Sequence, residues 1–300
     1  MRLSVSLPKP GVREGDRLAE ALDLAQCVER CGLHAVSGTD HPFPRTEGTV
    51  SHHAHDPFVL LAYLAASTER IRLHFSLLVA GHRSPYLTAK MLSTLDLVSA
   101  GRVLAALGAG YHEPELAALG APADARGRRA QEVVEMMRVA WSGEPVYREH
   151  AQWPAEGNQM FPRPVQGPHP PLWRGGNTKA AMRSVARAFD GWSPMEASEP
   201  WAGQAGTSAL TMRTIGEAVD QLREAWVSAD RIGVPDVCLV RGRQDWLADE
   251  DRLVAEVGQL EGVGVTWVEI NVAGRAPQEG LERVERVAAA LRSAGLLATS

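Results

Sequence analysis

The residues best suited to moving a proton fall in a few short stretches of this 300-residue chain. Asp40 and His41 stand together between Thr39 and Pro42. An imidazole exchanges a proton near neutral pH, and an adjacent carboxylate can orient the donors of a bound ring. The same residues also make an ordinary turn. Gly108-Ala-Gly110 offers small residues where backbone could approach a flat ligand, followed by Tyr111, His112 and Glu113; taken by themselves they are better explained by a plain loop. Ser76 is the single hydroxyl in the apolar run Phe75 to Ala80. Gly175, Gly176, Asn177 and Thr178 read as a glycine turn opening a helix, where free N–H groups and the helix dipole favour an anion such as a cofactor phosphate. The competing reading is a tight turn with Asn177 or Thr178 as cap. His52, His53 and His55 lie close to His41, but no cysteine or ordered carboxylate spacing accompanies them, so no metal is expected.

These residues need a scaffold, and the order of elements supplies one. Short apolar runs alternate with longer amphipathic patterns from end to end, the mark of βαβ units and a parallel sheet. Strands are expected at Leu3 to Leu7, Leu33 to Ser37, Ile71 to Val79, Arg102 to Leu107, Leu172 to Arg174, Gly191 to Ser193, Val237 to Val240 and Val265 to Asn271. Between them, Gly32 is placed to end the first helix, and Asp56 with Pro57 to start the second as N-cap and first-turn proline. Pro85 opens a third, Val133, Val134, Met137, Ala140 and Trp141 mark a strongly amphipathic fourth, and Leu281, Val284, Val287, Ala288 and Leu291 mark the last. Residues 143–170 carry six prolines and little periodicity, so an irregular excursion over one end is expected. Eight strands with intervening helices give a (β/α)8 TIM barrel with insertion loops, and such barrels react at the C-terminal ends of their strands.

Composition narrows the function classes. With 45% hydrophobic and 22% charged residues the chain can bury one large core, and α/β barrels of this length fold as one domain, here residues 1–300. A net charge of −5 gives no reason to expect a nucleic-acid or acidic-membrane partner. No apolar run reaches membrane-span length, and the N-terminus lacks signal-peptide features, so a cytoplasmic protein is expected. Cys27, Cys31 and Cys238 are read as inert thiols rather than a metal or redox set.

The joint order of these motifs resembles the luciferase-like monooxygenase superfamily, especially its coenzyme F420-dependent branch. The resemblance runs from Gly38-Thr-Asp-His41 through Asp56-Pro-Phe, Ala65-Ala-Ser-Thr-Glu-Arg-Ile-Arg-Leu73, Thr94 to Arg102, Gly108 to Glu115, Pro162 to Pro171 and Trp173 to Asn177, ending near Asp190-Gly-Trp-Ser193. It implies a cofactor at the C-terminal mouth: F420, or alternatively FMN. It further implies a non-prolyl cis peptide between Ser76 and Leu77 that supports the ring, contact of Asp40 with that ring, and the phosphate held by Gly175 to Thr178. His41 matches a position that acts as acid or base beside the deazaflavin in some members. Where those members carry a glutamate after the glycine pair, this chain has Tyr111, which leaves Tyr111, His112 and Glu113 as candidates for the missing acid. The implied reaction is hydride transfer to or from a small organic substrate; on FMN it would be a two-component monooxygenation. A homodimer is implied by resemblance alone.

Overall fold

The computed structural model describes residues 1–10, 17–45, 53–121 and 126–298. Strands β1 (Arg2–Ser6), β2 (Ala35–Gly38), β3 (Arg72–Val79) and β4 (Val103–Gly108) come first. A short antiparallel hairpin, β5 (Val146–Arg148) with β6 (Ala155–Asn158), stands outside the main sheet. Strands β7 (Leu172–Gly175), β8 (Gly191–Ser193), β9 (Asp236–Arg241) and β10 (Trp267–Ile270) then close a parallel eight-stranded barrel, with β10 pairing back onto β1. Helices α1 (Leu18–Arg30), α2 (Pro57–Ala65), α3 (Pro85–Val98), α4 (Glu113–Ala118), α5 (Arg126–Trp141), α6 (Lys179–Ala188), α7 (Glu199–Ala205), α8 (Ile215–Ser228), α9 (Glu250–Gly262) and α10 (Pro277–Ser293) lie between and around the strands. The chain is thus a (β/α)8 barrel, and each expected strand is found within two residues at either end.

Local chemistry explains the boundaries. Asp56 Oδ1 accepts from the N–H groups of Phe58 and Val59 at 2.9 and 3.1 Å, capping α2 ahead of Pro57. Gly32 adopts φ 68°, the left-handed conformation that lets the chain leave α1 without steric cost. Every residue of β4 is buried, as a strand covered on one face by helices and on the other by the lumen must be. On α5 the residues Val133, Val134, Met137, Ala140 and Trp141 are buried, and on α10 so are Val284, Val287, Ala288 and Leu291. Each such aliphatic side chain contributes about 1.5–3 kcal/mol over its exposed state.

The excursion at residues 143–170 departs from expectation, because it holds the β5–β6 hairpin rather than irregular chain throughout. Strands of three and four residues are too short to show an alternating pattern. Trp173 and Trp267 meet at a ring separation of 5.6 Å inside the barrel, packed with Ala35, Leu104, Ala106 and Cys238. This plug fills the interior and leaves the C-terminal mouth as the place where a ligand can enter. The Cys27 and Cys31 sulfurs lie 4.0 Å apart as free thiols, and burial pushes Cys27 up to about 12, which keeps it unreactive.

Candidate active site

Four strand ends build the mouth. Within β3 the peptide bond between Ser76 and Leu77 is cis, and the pairing with β4 shifts register between Phe75 and Leu78. Leu77, half-buried, lays its side chain over Gly108 at the end of β4 and Gly175 at the end of β7. A Cβ at either glycine would overlap that side chain, so the two glycines form a shelf on which Leu77 rests. Gly110 serves a different neighbour: at φ 80° it passes close to Val79, whose Cγ1 would lie 2.8 Å from an added Cβ.

Asp40, at the end of β2, is 1% exposed. Its Oδ2 accepts from Val79 N at 3.0 Å and from Arg83 at 2.7 Å, with His82 Nδ1 at 3.4 Å. Burial alone would raise this carboxyl, but His82 and the Arg83 guanidinium outweigh it and hold it below the ordinary value. One oxygen therefore locks the end of β3 to the end of β2. The other, Oδ1, is buried with no hydrogen-bond partner among the described residues.

His41 leads to a residue the sequence reading missed. Its Nδ1 lies 2.8 Å from Glu115 Oε2, and Glu115 Oε1 accepts from Phe43 N at 3.0 Å. The Glu115 side chain is 1% exposed, whereas that of Glu113 is 68% exposed and faces Arg126 at 3.7 Å. The short helix α4 turns Glu113 outward and brings Glu115 in against His41. The signal was present in position, since His112 caps α4 and Glu115 is the third residue of its first turn, the place from which a carboxylate reaches back. His112 Nδ1 stands 3.9 Å from the same Oε2.

The electrostatics define the proton state. A carboxylate only accepts, so Nδ1 of His41 donates to Glu115 and the neutral ring carries its basic lone pair on Nε2. Burial lowers the His41 pKa below 6.5, with the Glu115 hydrogen bond opposing and the charge of Lys9 adding to the fall. Tyr111 packs edge-on to His41, with ring centroids 6.0 Å apart, and to Trp201 at 6.1 Å. Burial and then the charge of Glu115 raise its phenol above 10, so it stays a neutral donor. Lys9 was also missed. Flanked by Pro8 and Pro10 just beyond β1, it is exposed, and the protein around it lowers its pKa with Glu269 opposing.

The turn after β7 is arranged otherwise. Thr178 caps α6, its Oγ1 accepting from Ala181 N at 3.1 Å. Asn177 donates from Nδ2 to the carbonyls of Met195 and Ser208 and accepts from Met195 N, which ties β7 to the chain after β8. Its own N–H donates to Thr207 Oγ1 at 3.0 Å. Gly176 takes φ 99° with nothing nearer than Ala181 to a notional Cβ. Of the loop histidines, His52 lies outside the described residues, and no group of metal-binding side chains exists among those described.

A sequence profile described as luciferase-like monooxygenase matches residues 1–211. The FMNH(2)-dependent dimethylsulfone monooxygenase of Pseudomonas putida is 27% identical over 267 residues, covering 86% of this chain and 68% of that one. Among solved structures, monooxygenase RslO1 from Streptomyces bottropensis superposes with a TM-score of 0.82 at 21% identity, covering 98% of this chain and 99% of that chain. An F420-dependent secondary alcohol dehydrogenase, solved with an F420-acetone adduct, superposes at 0.78 with 15% identity, covering 97% and 99%.

Proposed function

Because the chain belongs to the luciferase-like monooxygenase family, we propose that it binds the deazaflavin F420 at the barrel mouth and exchanges hydride with a small organic substrate, His41 moving the accompanying proton. The observation that carries this reading is the buried Glu115 locked onto His41 Nδ1, a geometry that prepares Nε2 as base or, once protonated, as acid. The mouth suits a flat ring with hydrogen-bonding edges. Asp40 Oδ1 is a buried acceptor in want of a donor, and Leu77 on its glycine shelf offers a half-buried apolar surface. Ser76 sits beside Leu77, and at the capped start of α6 the backbone N–H groups of Gly176 and Thr178 would be the ones to meet a phosphate, that of Asn177 being given to Thr207. When bound, the cofactor would supply the hydride chemistry. Asp40 would then orient the ring, Tyr111 and Trp201 would wall the substrate side, and Glu115 would keep His41 in one tautomer throughout.

The second reading, oxygen insertion with reduced FMN on the same residues, is favoured by the Pseudomonas putida relative, whose name specifies FMNH(2). Titration of the purified protein with F420 and with FMN, followed by absorbance and fluorescence, separates them. The first reading expects tight binding of F420 and weak binding of FMN; the reverse order selects the second, and no binding of either removes both.

Two smaller expectations accompany this reading. No helix among the described residues is long and apolar enough to cross a membrane, and three free thiols suit a reducing cytoplasm. Val59 and Tyr63 on α2 and Leu87, Leu97 and Val98 on α3 are exposed apolar side chains on neighbouring helices, which supports pairing into a homodimer. Sedimentation velocity tests it directly.

A further inference from the structure

Below the mouth, three strands and their neighbour β10 bring polar groups into one layer of the lumen. Ser4 pairs in register with Glu269, Ser6 with Ser37, and Ser37 with His74. Strands buried on both faces are ordinarily apolar, so a carboxyl, an imidazole and several hydroxyls here need a reason. Ser6 Oγ donates to Glu269 Oε1 at 2.8 Å, and Ser4 Oγ is 3.0 Å from His74 Nδ1. His74 Nδ1 stands 3.6 Å from Glu269 Oε2, beyond hydrogen-bond reach. Glu269 Oε2, His74 Nε2 and Ser37 Oγ are all buried and without a hydrogen-bond partner among the described residues. Such atoms are nearly always satisfied by protein or by ordered water.

Among the described residues the groups that touch Glu269 are uncharged, and the charge of Lys9 reaches it only without an ion pair. His74 is pushed down to about 3 by burial first and Arg72 second, so its ring is neutral. Cys238 on β9 is a buried thiol held well above its ordinary value. Ser6, Ser37 and Ser76 contribute hydroxyls, and Lys9, the nearby cation, makes no ion pair with Glu269 within 4 Å among the described residues. An isolated buried carboxylate costs several kcal/mol, whereas its protonated form only needs an acceptor. Burial accordingly raises the Glu269 pKa, with Ser76, Ser6, Ser37 and Lys9 opposing.

We propose that Glu269 is held as a neutral acid and that, with Ser37 and His74, it binds internal water, giving the mouth an uncharged, hydrated floor. Water is the ligand whose size and mixed donor and acceptor character fit three orphaned atoms of this kind. The consequence for an anionic occupant rests on the proposed function: a neutral floor adds no repulsion, while an ionised one would weaken anion binding.

The test needs no cofactor. Infrared difference spectra of the wild-type apoprotein at neutral pH should show a protonated-carboxyl C=O band that disappears on alkalinisation and is missing in Glu269→Gln. A high-resolution crystal structure should place ordered water within hydrogen-bond distance of Glu269 Oε2. Absence of the band, or Oε2 bonded directly to the Lys9 ammonium, overturns the proposal. Should Glu269→Gln fail to fold, the wild-type band and its loss at high pH decide alone. Failure of F420 and FMN to bind leaves these readouts unchanged, so the two proposals fail separately.

Discussion

The loop after β2 and the turn after β7, three strands apart around the barrel, spend their polar groups differently. After β2, Asp40 commits one oxygen to the scaffold and leaves the other without a partner among the described residues, while the His41 ring has its tautomer fixed by a buried acid. After β7, Asn177 uses both its side-chain amide and its N–H on neighbouring chain, and Thr178 uses its hydroxyl as a cap. Polar residue type therefore does not separate chemistry from architecture. What separates them is that Asp40 keeps one oxygen without a partner among the described residues, whereas the side chains of Asn177 and Thr178 are given to neighbouring chain.

The largest expected effect lies on the β2 side. His41→Ala should lower turnover by about 10²–10⁴-fold while cofactor affinity changes little; equal losses in both would reduce His41 to a binding residue. Glu115→Gln should follow, because its amide can donate to Nδ1 and so favour the wrong tautomer, and removal of the charge that opposes burial should move the acid limb of the pH–rate profile downward. An unmoved limb would detach Glu115 from His41.

Asp40→Ala removes a buried charge that pairs with Arg83 and holds Val79, and should destabilise the protein by about 3–5 kcal/mol in denaturant unfolding. The sign with pH follows from a folded pKa below the ordinary 3.8: the stabilisation is present above that value and fades as pH falls through the folded pKa. Wild type and variant should thus converge in strong acid. Gly108→Ala should cost about 1–3 kcal/mol by overlap with Leu77, and Leu77→Ala added to it should recover part of that loss. Additive losses would mean that Leu77 does not occupy the shelf. Smallest is Thr178→Ala on the β7 side, about 1 kcal/mol of stability from a lost cap, read by denaturant unfolding.

Much of this comparison was legible in the chain. Strand positions showed because parallel strands are continuous apolar runs, and the cap at Asp56 showed because few side chains can satisfy a helix N-terminus, while at α6 the sequence left Asn177 and Thr178 as alternatives. Asp40 and His41 were visible as a pair, but their division of labour was not, since it depends on Val79, Arg83 and Glu115, all at least 39 positions away from the residue they meet. Glu113 and Glu115 are chemically identical, and only the direction in which α4 starts distinguishes the exposed one from the buried one. Glu269 lies inside an otherwise apolar strand and Lys9 between two prolines beyond β1, and neither stood out because their approach arises only when β10 closes against β1.

The central claim is that Glu115 fixes a neutral His41 with its proton on Nδ1. Nitrogen-15 NMR of the histidine rings, assigned through His41→Ala and followed across pH, measures both parts. The claim predicts an Nδ1–H ring at pH 7 with a midpoint below 6.5, so that neutral-ring stability is lost only as pH falls from 6.5 toward that lower value. A midpoint above 6.5, or a proton resident on Nε2, would contradict it.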